Sequence, residues 1–264
     1  MKSLEEIIEK HHLSGLTINQ AENSAGQEII LRKISKSPFA NNVLIKGGVV
    51  MFNLTKNIRR ATADLDFDFI RYDISDTSIR KFISLLNKYD SEYVIKLISI
   101  KPLKQEDYDG KRVIVSISDK ITKINFKLDI GVHTLLGLEQ STLCFAFDDS
   151  QVFLRVNPIE QIFAEKIYSL AKHEALSTRY KDIFDIYYLI TQQKLNVKLV
   201  KECLELLTMK GSFGIHSIDD IYSRVNDTLN DRQFLNHLDS TKDKWLDADT
   251  KVITKTIVDY ISGI

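Results

Sequence analysis

Three aspartates in one short segment, ADLDFDFI (residues 63 to 70), have the residue type and the spacing to bind metal ions. Asp64, Asp66 and Asp68 alternate with three apolar residues, and this period of two predicts a β-strand with one buried face. Carboxylates two residues apart on a strand lie roughly 6 to 7 Å apart, close enough to bind one or two hard divalent cations. Because aspartate is a poor strand former, three in alternation indicate a functional demand.

A third carboxylate for this site is available at Asp129, in the strand-like segment FKLDI (126 to 130). That segment is otherwise apolar and basic, and we expect it to run beside the first strand. Mg²⁺ keeps several waters and takes its other ligands from carboxylates and substrate phosphates, so this set suits nucleotide chemistry. The alternative is that these acids are solvated residues on a strand face, because short acidic motifs occur often by chance.

A pair of glycines precedes the aspartates. Residues 41 to 46 (NNVLIK) predict a strand, Gly47 and Gly48 interrupt it, and residues 49 to 54 predict a short helix or turn. Exposed backbone N–H groups in such a turn and at a helix N-terminus can hold a triphosphate. Arg60 and Thr62 follow before the acids, so phosphate cradle, cationic neighbour and metal ligands arise in one short stretch.

A second candidate group lies in residues 158 to 190, where apolar residues recur at helical spacing. Lys166 falls inside the apolar stripe, so it either extends its amine to a domain boundary or points at an anion. On the next helix Asp182 and Asp185 share one face close to Arg179. The alternative for these acids is ordinary helix-terminal charge and exposed i,i+3 pairing.

The hydrophobic periodicity predicts the elements that position these residues. Strand and helix patterns alternate up to about residue 155, with further strands at 93 to 101, 111 to 118 and 122 to 132 and a helix at 77 to 89. From Pro158 nearly every segment has helical spacing. We therefore predict an α+β (α/β) protein: a mixed sheet with flanking helices in residues 1–155, then a helical bundle in residues 156–264. If both candidate groups belong to one active site, we expect the helical domain to complete the cleft of that site.

Composition narrows the functional classes further. Lysine plus arginine and aspartate plus glutamate both number 36, so the chain has no net charge, which disfavours a histone-like coating of nucleic acid. The two cysteines, Cys144 and Cys203, favour neither a disulfide framework nor a zinc cluster and fit a reducing compartment. No apolar run is long enough to span a bilayer. We expect a cytoplasmic protein with no membrane partner.

Four motifs together resemble the AbiEii/AbiGii toxin family of nucleotidyltransferases, within the DNA polymerase beta-like nucleotidyltransferase superfamily. They occur in the expected order over about residues 17 to 192: Lys46-Gly47-Gly48, Arg60-Ala-Thr62-Ala-Asp64-Leu-Asp66-Phe, Pro158 to Lys166, and Arg179-Tyr-Lys181-Asp182-Ile-Phe-Asp185. The resemblance implies a nucleotidyltransferase-like fold and an enzyme that uses Mg²⁺ or Mn²⁺ to transfer NMP from an NTP. It also implies the toxic half of a toxin-antitoxin or abortive-infection pair, with an antitoxin protein as partner and an RNA, in particular tRNA, as acceptor.

The resemblance assigns roles to particular residues. Gly47 and Gly48, with Lys46, Arg60 and Thr62 nearby, resemble the nucleotide-binding segment. The metal ligands are then Asp64 and Asp66, with Asp129 as the superfamily's third carboxylate, and the catalytic set includes Lys166 and the late acid Asp182. One departure is Val49, which stands where the family usually has Ser or Thr and removes a hydroxyl contact to the phosphates.

Two other functional classes stay open at this point. Val49 is consistent with a degenerate, non-catalytic member that binds proteins, and the same core also serves small-molecule (antibiotic-type) nucleotidyltransferases. Arg232 and His237 match an R-x4-H ribonuclease pattern, but about one such match is expected by chance in this composition. We expect His11-His12 to be a surface feature, and Phe184, Tyr187 and Tyr188 to belong to the core. The sequence does not specify the NTP, the acceptor or the oligomeric state.

Overall fold

A computed structural model describes residues 2–89, 91–103, 110–133, 138–209 and 212–264 of the chain. The chain divides into two compact units, residues 1–157 and residues 158–264. Between them the described residues form ten α-helices and seven β-strands. None of the helices in these ranges is long and apolar enough to cross a membrane.

The first unit contains the sheet and four helices. Its helices are α1 (Leu4–Leu13), α2 (Ile18–Lys36), α3 (Gly47–Thr55) and α4 (Asp76–Tyr89). Its strands are β1 (Val43–Lys46), β2 (Asp64–Phe69), β3 (Val94–Pro102), β4 (Lys111–Ser118), β5 (Lys123–Val132), β6 (Ser141–Ala146) and β7 (Gln151–Val156). The first two helices begin at complete capping boxes, Ser3 with Glu6 and Thr17 with Gln20.

The seven strands form one mixed sheet in the order β3-β4-β5-β2-β1-β7-β6. The pairs β2/β5 and β1/β7 are parallel and the other neighbours are antiparallel. The predicted mixed sheet with flanking helices is therefore confirmed. The topology makes β2 and β5 direct neighbours, so residues far apart in sequence lie side by side.

One face of this sheet is packed with aromatic side chains. Phe67 and Phe69 of β2 contact Phe82 of α4 with ring centroids 5.7 and 5.2 Å apart. On α2, a Cβ added to Gly26 would lie 2.6 Å from the ring of Phe126 on β5, so the helix approaches the strand closely there. Since side chains alternate along a strand, the aspartates of β2 and Asp129 of β5 project from the opposite face.

The second unit is helical, as predicted. It comprises α5 (Ile159–His173), α6 (Tyr180–Gln192), α7 (Val197–Thr208), α8 (Ile218–Asn230), α9 (Arg232–Ser240) and α10 (Thr250–Ser262). Side chains of Asn196, Ser217, Asp231 and Asp249 cap the N-termini of the last four helices, which explains where each begins. Phe163, Phe184, Phe234 and Trp245 are among its buried side chains.

The structure adds two features that the pattern analysis did not include as elements. Strand β7 joins the sheet beside β1 and pairs with β6, the strand that contains Cys144, although Val152, Leu154 and Val156 of β7 alternate with exposed residues as in the other strands. In addition, α3 starts at Gly47 itself, so both glycines belong to the first turn of the helix.

Candidate functional site

The site is built from β2 and β5. Their parallel pairing sets Asp66 opposite Asp129, and carboxylate oxygens of Asp64, Asp66 and Asp129 all lie within 4.8 Å of one another. All three residues are half-buried. We call these three residues the sheet cluster. The structure thus brings together the carboxylates that the sequence placed in one site, and their role as metal ligands stays a prediction.

Two cations from the same sheet face contact the sheet cluster. The Lys127 amine lies 2.6 Å from Asp64 Oδ2, and the Thr62 hydroxyl donates to Asp64 Oδ1 at 2.9 Å. Arg112 donates to both oxygens of Asp129, from Nε at 2.9 Å and from Nη2 at 2.7 Å. Sequence reasoning missed Lys127 and Arg112 because their contacts depend on which strands are neighbours.

These contacts lower the pKa of one member of the sheet cluster, Asp64. Burial raises the pKa of Asp64, but the hydrogen bond and charge of Lys127 and the hydroxyl of Thr62 outweigh it, so the pKa lies below its ordinary value. The hydrogen bond to Asp129 raises the pKa of Arg112. Asp64 is therefore ionised at neutral pH, the form that a divalent cation requires.

The donor set fits a hard divalent cation. Each of the three aspartates offers an oxygen ligand, and Mg²⁺ or Mn²⁺ uses carboxylate oxygens together with water and phosphate. Lys127 and Arg112 keep 32% and 46% of their side-chain surfaces exposed, so both can turn toward solvent when another cation binds. The charges now present at the cluster are thus exchangeable.

The glycine turn lies directly against the cluster. Gly47 has a φ of +69°, and a Cβ there would lie 2.2 Å from Asp66 Oδ2, so only glycine fits beside this carboxylate. A Cβ on Gly48 would lie 2.6 Å from the Thr62 hydroxyl. The N-cap of α3, Lys46, makes no side-chain cap hydrogen bond. The first turn of α3 therefore offers backbone N–H groups to an anion next to the carboxylates of the sheet cluster.

Other residues predicted for nucleotide binding are less open. The Lys46 amine lies 2.6 Å from Asp68 Oδ1, and Asp68 is buried, so this aspartate anchors a lysine and is not a solvated acid. Arg60 ends a short 3₁₀ turn (Ile58–Arg60), and its side chain is buried. Nucleotide contacts by Lys46 and Arg60 remain predictions.

The second candidate group forms a separate buried cluster in the helical unit. Lys166 of α5 forms an ion pair with Asp182 and lies 2.8 Å from Asp185 Oδ2, both on α6. The three residues are only 8%, 9% and 0% exposed. We call them the helix cluster. Asp182 also accepts an ion pair from Arg179 Nε at 2.8 Å.

The contacts of the helix cluster bear on the alternatives that the sequence left open for Lys166, Asp182 and Asp185. Lys166 points at anionic partners, but they are carboxylates of its own unit. Asp185 is fully buried, so the interpretation of exposed i,i+3 pairing is wrong for Asp185. Asp182 is buried as well, but it does form an i,i+3 ion pair with the exposed Arg179. A catalytic role for Lys166 and Asp182, and the completion of the cleft by the helical domain, remain predictions. Asp185 is the least exposed of the three residues, although the resemblance assigns it no role.

The comparisons with known proteins give the family. A family model described as "Nucleotidyl transferase AbiEii toxin, Type IV TA system" matches residues 29–251. The chain belongs to the AbiEii family. It is accordingly a nucleotidyltransferase by family, and the family implies a nucleotide substrate and an antitoxin partner. A search of curated proteins finds no match.

Solved structures similar to this AbiEii chain have low identity. A Helicobacter pylori protein provisionally described as a nucleotidyltransferase is 18% identical, with 94% of this chain and 96% of that chain covered and a TM-score of 0.48. JHP933 from Helicobacter pylori is 16% identical, covers 94% of each chain and has a TM-score of 0.46. An antigenic nucleotidyltransferase-like protein from Paracoccidioides brasiliensis is 17% identical, with 73% and 88% covered and a TM-score of 0.40.

Val49, the departure from the AbiEii motif, is buried in the first turn of α3. The hydroxyl that the family usually has at this position is missing, but the Thr62 hydroxyl lies beside Gly48. The glycine turn therefore retains a nearby hydroxyl, now hydrogen-bonded to Asp64.

The remaining sequence features lie outside the sheet cluster. His11 is not a simple surface residue, because its Nε2 lies 3.1 Å from the buried Glu28 carboxylate. Arg232 and His237 are both exposed on α9. Phe184 is buried in the core as predicted, and Tyr188 packs against Trp245 with ring centroids 5.7 Å apart.

Proposed function

We propose that this AbiEii protein transfers NMP from an NTP to the end of an RNA, with tRNA as the leading candidate, and is a toxin held in check by an antitoxin. The observation that carries the proposal is the sheet cluster, whose oxygens lie within 4.8 Å of one another beside a glycine turn. A buried structural site would have no need of a helix N-terminus next to its ligands. Acting on RNA, the protein would work in the cytoplasm.

In this proposal Asp64, Asp66 and Asp129 hold Mg²⁺ or Mn²⁺. Bound divalent ions would lower the pKa of the acceptor hydroxyl and offset charge on the departing pyrophosphate. The N–H groups of Gly47 and Gly48 would hold the triphosphate against the cluster. Lys127 and Arg112 occupy the carboxylates until the metal binds.

Lys166 and Asp182 enter the proposal more indirectly. The resemblance implies that Lys166 contacts the nucleotide and that Asp182 is a catalytic acid. In the structure, the two residues are ion-paired with each other within the helix cluster. We propose that Asp185 positions the Lys166 amine. A change of Lys166 then affects both stability and transfer, and the two effects need separate measurements.

The proposal is tested by incubating the purified protein with each labelled NTP, Mg²⁺ and total RNA. We expect label in the tRNA band with at least one NTP and none with Asp66→Asn. Asp227→Asn, an exposed aspartate on α8, removes the same charge away from the cluster and should keep full transfer. Absence of labelled RNA with every NTP would contradict the RNA acceptor.

Two further results separate the alternatives. Label on a small molecule and not on RNA would favour an antibiotic-type nucleotidyltransferase. Failure of the wild-type protein to bind any NTP, together with capture of a protein partner, would favour the degenerate, non-catalytic member that Val49 allows. The toxin role predicts that induced wild type arrests growth, that Asp66→Asn does not, and that the cognate antitoxin relieves the arrest.

A further inference from the structure

A row of charged residues crosses the sheet from the sheet cluster to its β3 edge. Strand register aligns residues of β1, β2, β5, β4 and β3 directly opposite one another, in the order Lys46, Asp66, Asp129, Arg112, Lys101. Neighbouring strands are about 4.8 Å apart. Arg112 and Lys101 therefore stand one and two strands beyond the last carboxylate.

Further lysines stand on the same face. Lys127 and Lys123 lie two and six residues before Asp129 on β5, and Lys96 of β3 aligns with Ser116, which aligns with Asn125. Side chains alternate along each strand, and a register shift between Leu97 and Ser99 of β3 brings Lys96 and Lys101 to the same face although they are five residues apart. All of these residues therefore project from the face that carries the carboxylates. We call this surface the basic sheet face: Lys96, Lys101, Arg112, Lys123 and Lys127.

The outer lysines of this face are available for a partner. Lys96, Lys101 and Lys123 are exposed, and within the described ranges no carboxylate lies at ion-pair distance from any of them. Arg112 and Lys127, by contrast, are engaged by the sheet cluster. The positive charge thus increases with distance from the carboxylates, in a chain with no net charge overall.

The charge pattern fits a nucleic-acid strand. Phosphodiester backbones are bound chiefly by lysine and arginine, and such contacts do not depend on base identity. The described residues of β3, β4 and β5 place no aromatic side chain on this face, so base stacking is absent and phosphate contacts dominate. An acceptor end lying on the face would extend from the sheet edge to the metal ligands.

We propose that the basic sheet face binds the phosphodiester backbone of the acceptor's single-stranded end and directs its terminal hydroxyl to the sheet cluster. The inference rests on the proposed function for the identity of the acceptor, and it adds the surface that binds it. Of the three exposed lysines, Lys101 lies closest to the sheet cluster and contacts the terminal phosphates of the acceptor. Lys96 and Lys123 contact phosphates further from the end.

The test is direct binding of a labelled single-stranded RNA to the full chain, followed by fluorescence anisotropy over a range of salt concentrations. Lys96→Gln/Lys101→Gln/Lys123→Gln should weaken binding at least about tenfold at physiological salt. Each lost contact to a single strand contributes about 0.7 to the salt slope, so the slope should fall by about 2. The melting temperature and the affinity for NTP with Mg²⁺ should stay unchanged.

A matched control removes three charges elsewhere. Arg80→Gln/Lys81→Gln/Lys88→Gln changes exposed residues of α4, on the other side of the sheet, and should keep wild-type RNA binding and salt slope. Equal losses in both triple variants would overturn the proposal, because net charge alone would then explain them. Unchanged RNA binding by the Lys96/Lys101/Lys123 variant would also overturn the proposal. This includes the case in which the variant keeps RNA binding but loses binding to an acidic protein.

Transfer measurements keep this inference separate from the proposed function. If wild type transfers nucleotide, the sheet-face variant should raise KM for RNA severalfold with little change in kcat at saturating RNA. Transfer by the variant with an unchanged KM for RNA would contradict the proposed RNA-binding surface but not the proposed function. If the wild-type protein shows no transfer but the variant still loses RNA binding, the surface is supported and the proposed function is contradicted. Transfer to DNA alone, tested with an oligonucleotide of the same sequence, would overturn RNA as the occupant.

Discussion

The sheet cluster and the helix cluster both gather carboxylates around cations, but they differ in exposure. In the sheet cluster of three half-buried aspartates, Asp64 and Asp129 are paired with cations that keep about a third to a half of their side-chain surfaces exposed. In the helix cluster one lysine is enclosed with Asp182 and Asp185, all below 10% exposure. The first arrangement can exchange its cations for metal, whereas the second holds its charges in place.

The difference follows from the energetics of ion pairs. Pairs near the surface contribute at most about 1 kcal/mol, so displacement of Lys127 or Arg112 costs little. Removal of one partner from a buried pair costs about 3 to 5 kcal/mol, because the remaining charge stays uncompensated. We therefore infer that loss of sheet-cluster residues affects function first, and loss of helix-cluster residues affects stability first.

The largest effect is expected for Asp66→Asn. Loss of one of three ligands should reduce transfer by several orders of magnitude, since each 1.4 kcal/mol of lost transition-state stabilisation is a factor of ten. The metal-free variant should melt no lower than wild type, because one like charge leaves a crowded face. Full activity of this variant would show that the sheet cluster is not the metal site.

The next largest effect is expected for Lys166→Met. It removes the shared lysine from two buried carboxylates, of which Asp182 keeps its ion pair with Arg179, so the free energy of unfolding in urea should fall by about 3 to 5 kcal/mol. Lys198→Met, at an exposed position of α7, is the control and should change stability little. Adding Asp185→Asn to Lys166→Met should recover part of the loss. Wild-type stability of Lys166→Met would remove the distinction between the two clusters.

A smaller effect is expected for Lys127→Gln. Because Lys127 competes with metal for Asp64, its removal should tighten Mn²⁺ binding severalfold, measured by calorimetry, and lower the metal-free melting temperature slightly. Lys123→Gln, on the same strand and face, should leave Mn²⁺ affinity unchanged. Weaker Mn²⁺ binding by Lys127→Gln would mean that the lysine supports the site and does not block it.

The smallest effect concerns pH. The lowered pKa of Asp64 means that this carboxylate stays ionised as the pH falls from 7.5 to 5.5, and proton competition begins only in more acidic solution. We expect Mn²⁺ affinity of the wild-type protein to change by less than about twofold over this interval. A tenfold loss at pH 5.5 would indicate a cluster carboxylate with a raised pKa.

The local hydrophobic pattern of the sequence predicted much of the fold and part of the site. The alternation around Asp64 and Asp66 predicts β2, and the apolar strand around Asp129 predicts β5, because period and burial are local properties. The contacts of Lys127 and Arg112 were not predictable, since they require the order β4-β5-β2. The sequence also indicated Lys166, Asp182 and Asp185 as a candidate group, but their ion pairs were not predictable for a similar reason. Lys166 is within an apolar stripe by sequence, but only packing of α5 on α6 pairs it with Asp185.

We propose above all that the sheet cluster holds the divalent metal of this nucleotidyltransferase. The most direct measurement is an anomalous difference map from crystals grown with Mn²⁺ and a non-hydrolysable NTP analogue. We predict a peak within coordination distance of Asp64, Asp66 and Asp129, with Lys127 and Arg112 turned away from the carboxylates. Mn²⁺ bound elsewhere, or bound nucleotide with both cations still paired to the aspartates and no peak between them, would contradict the claim.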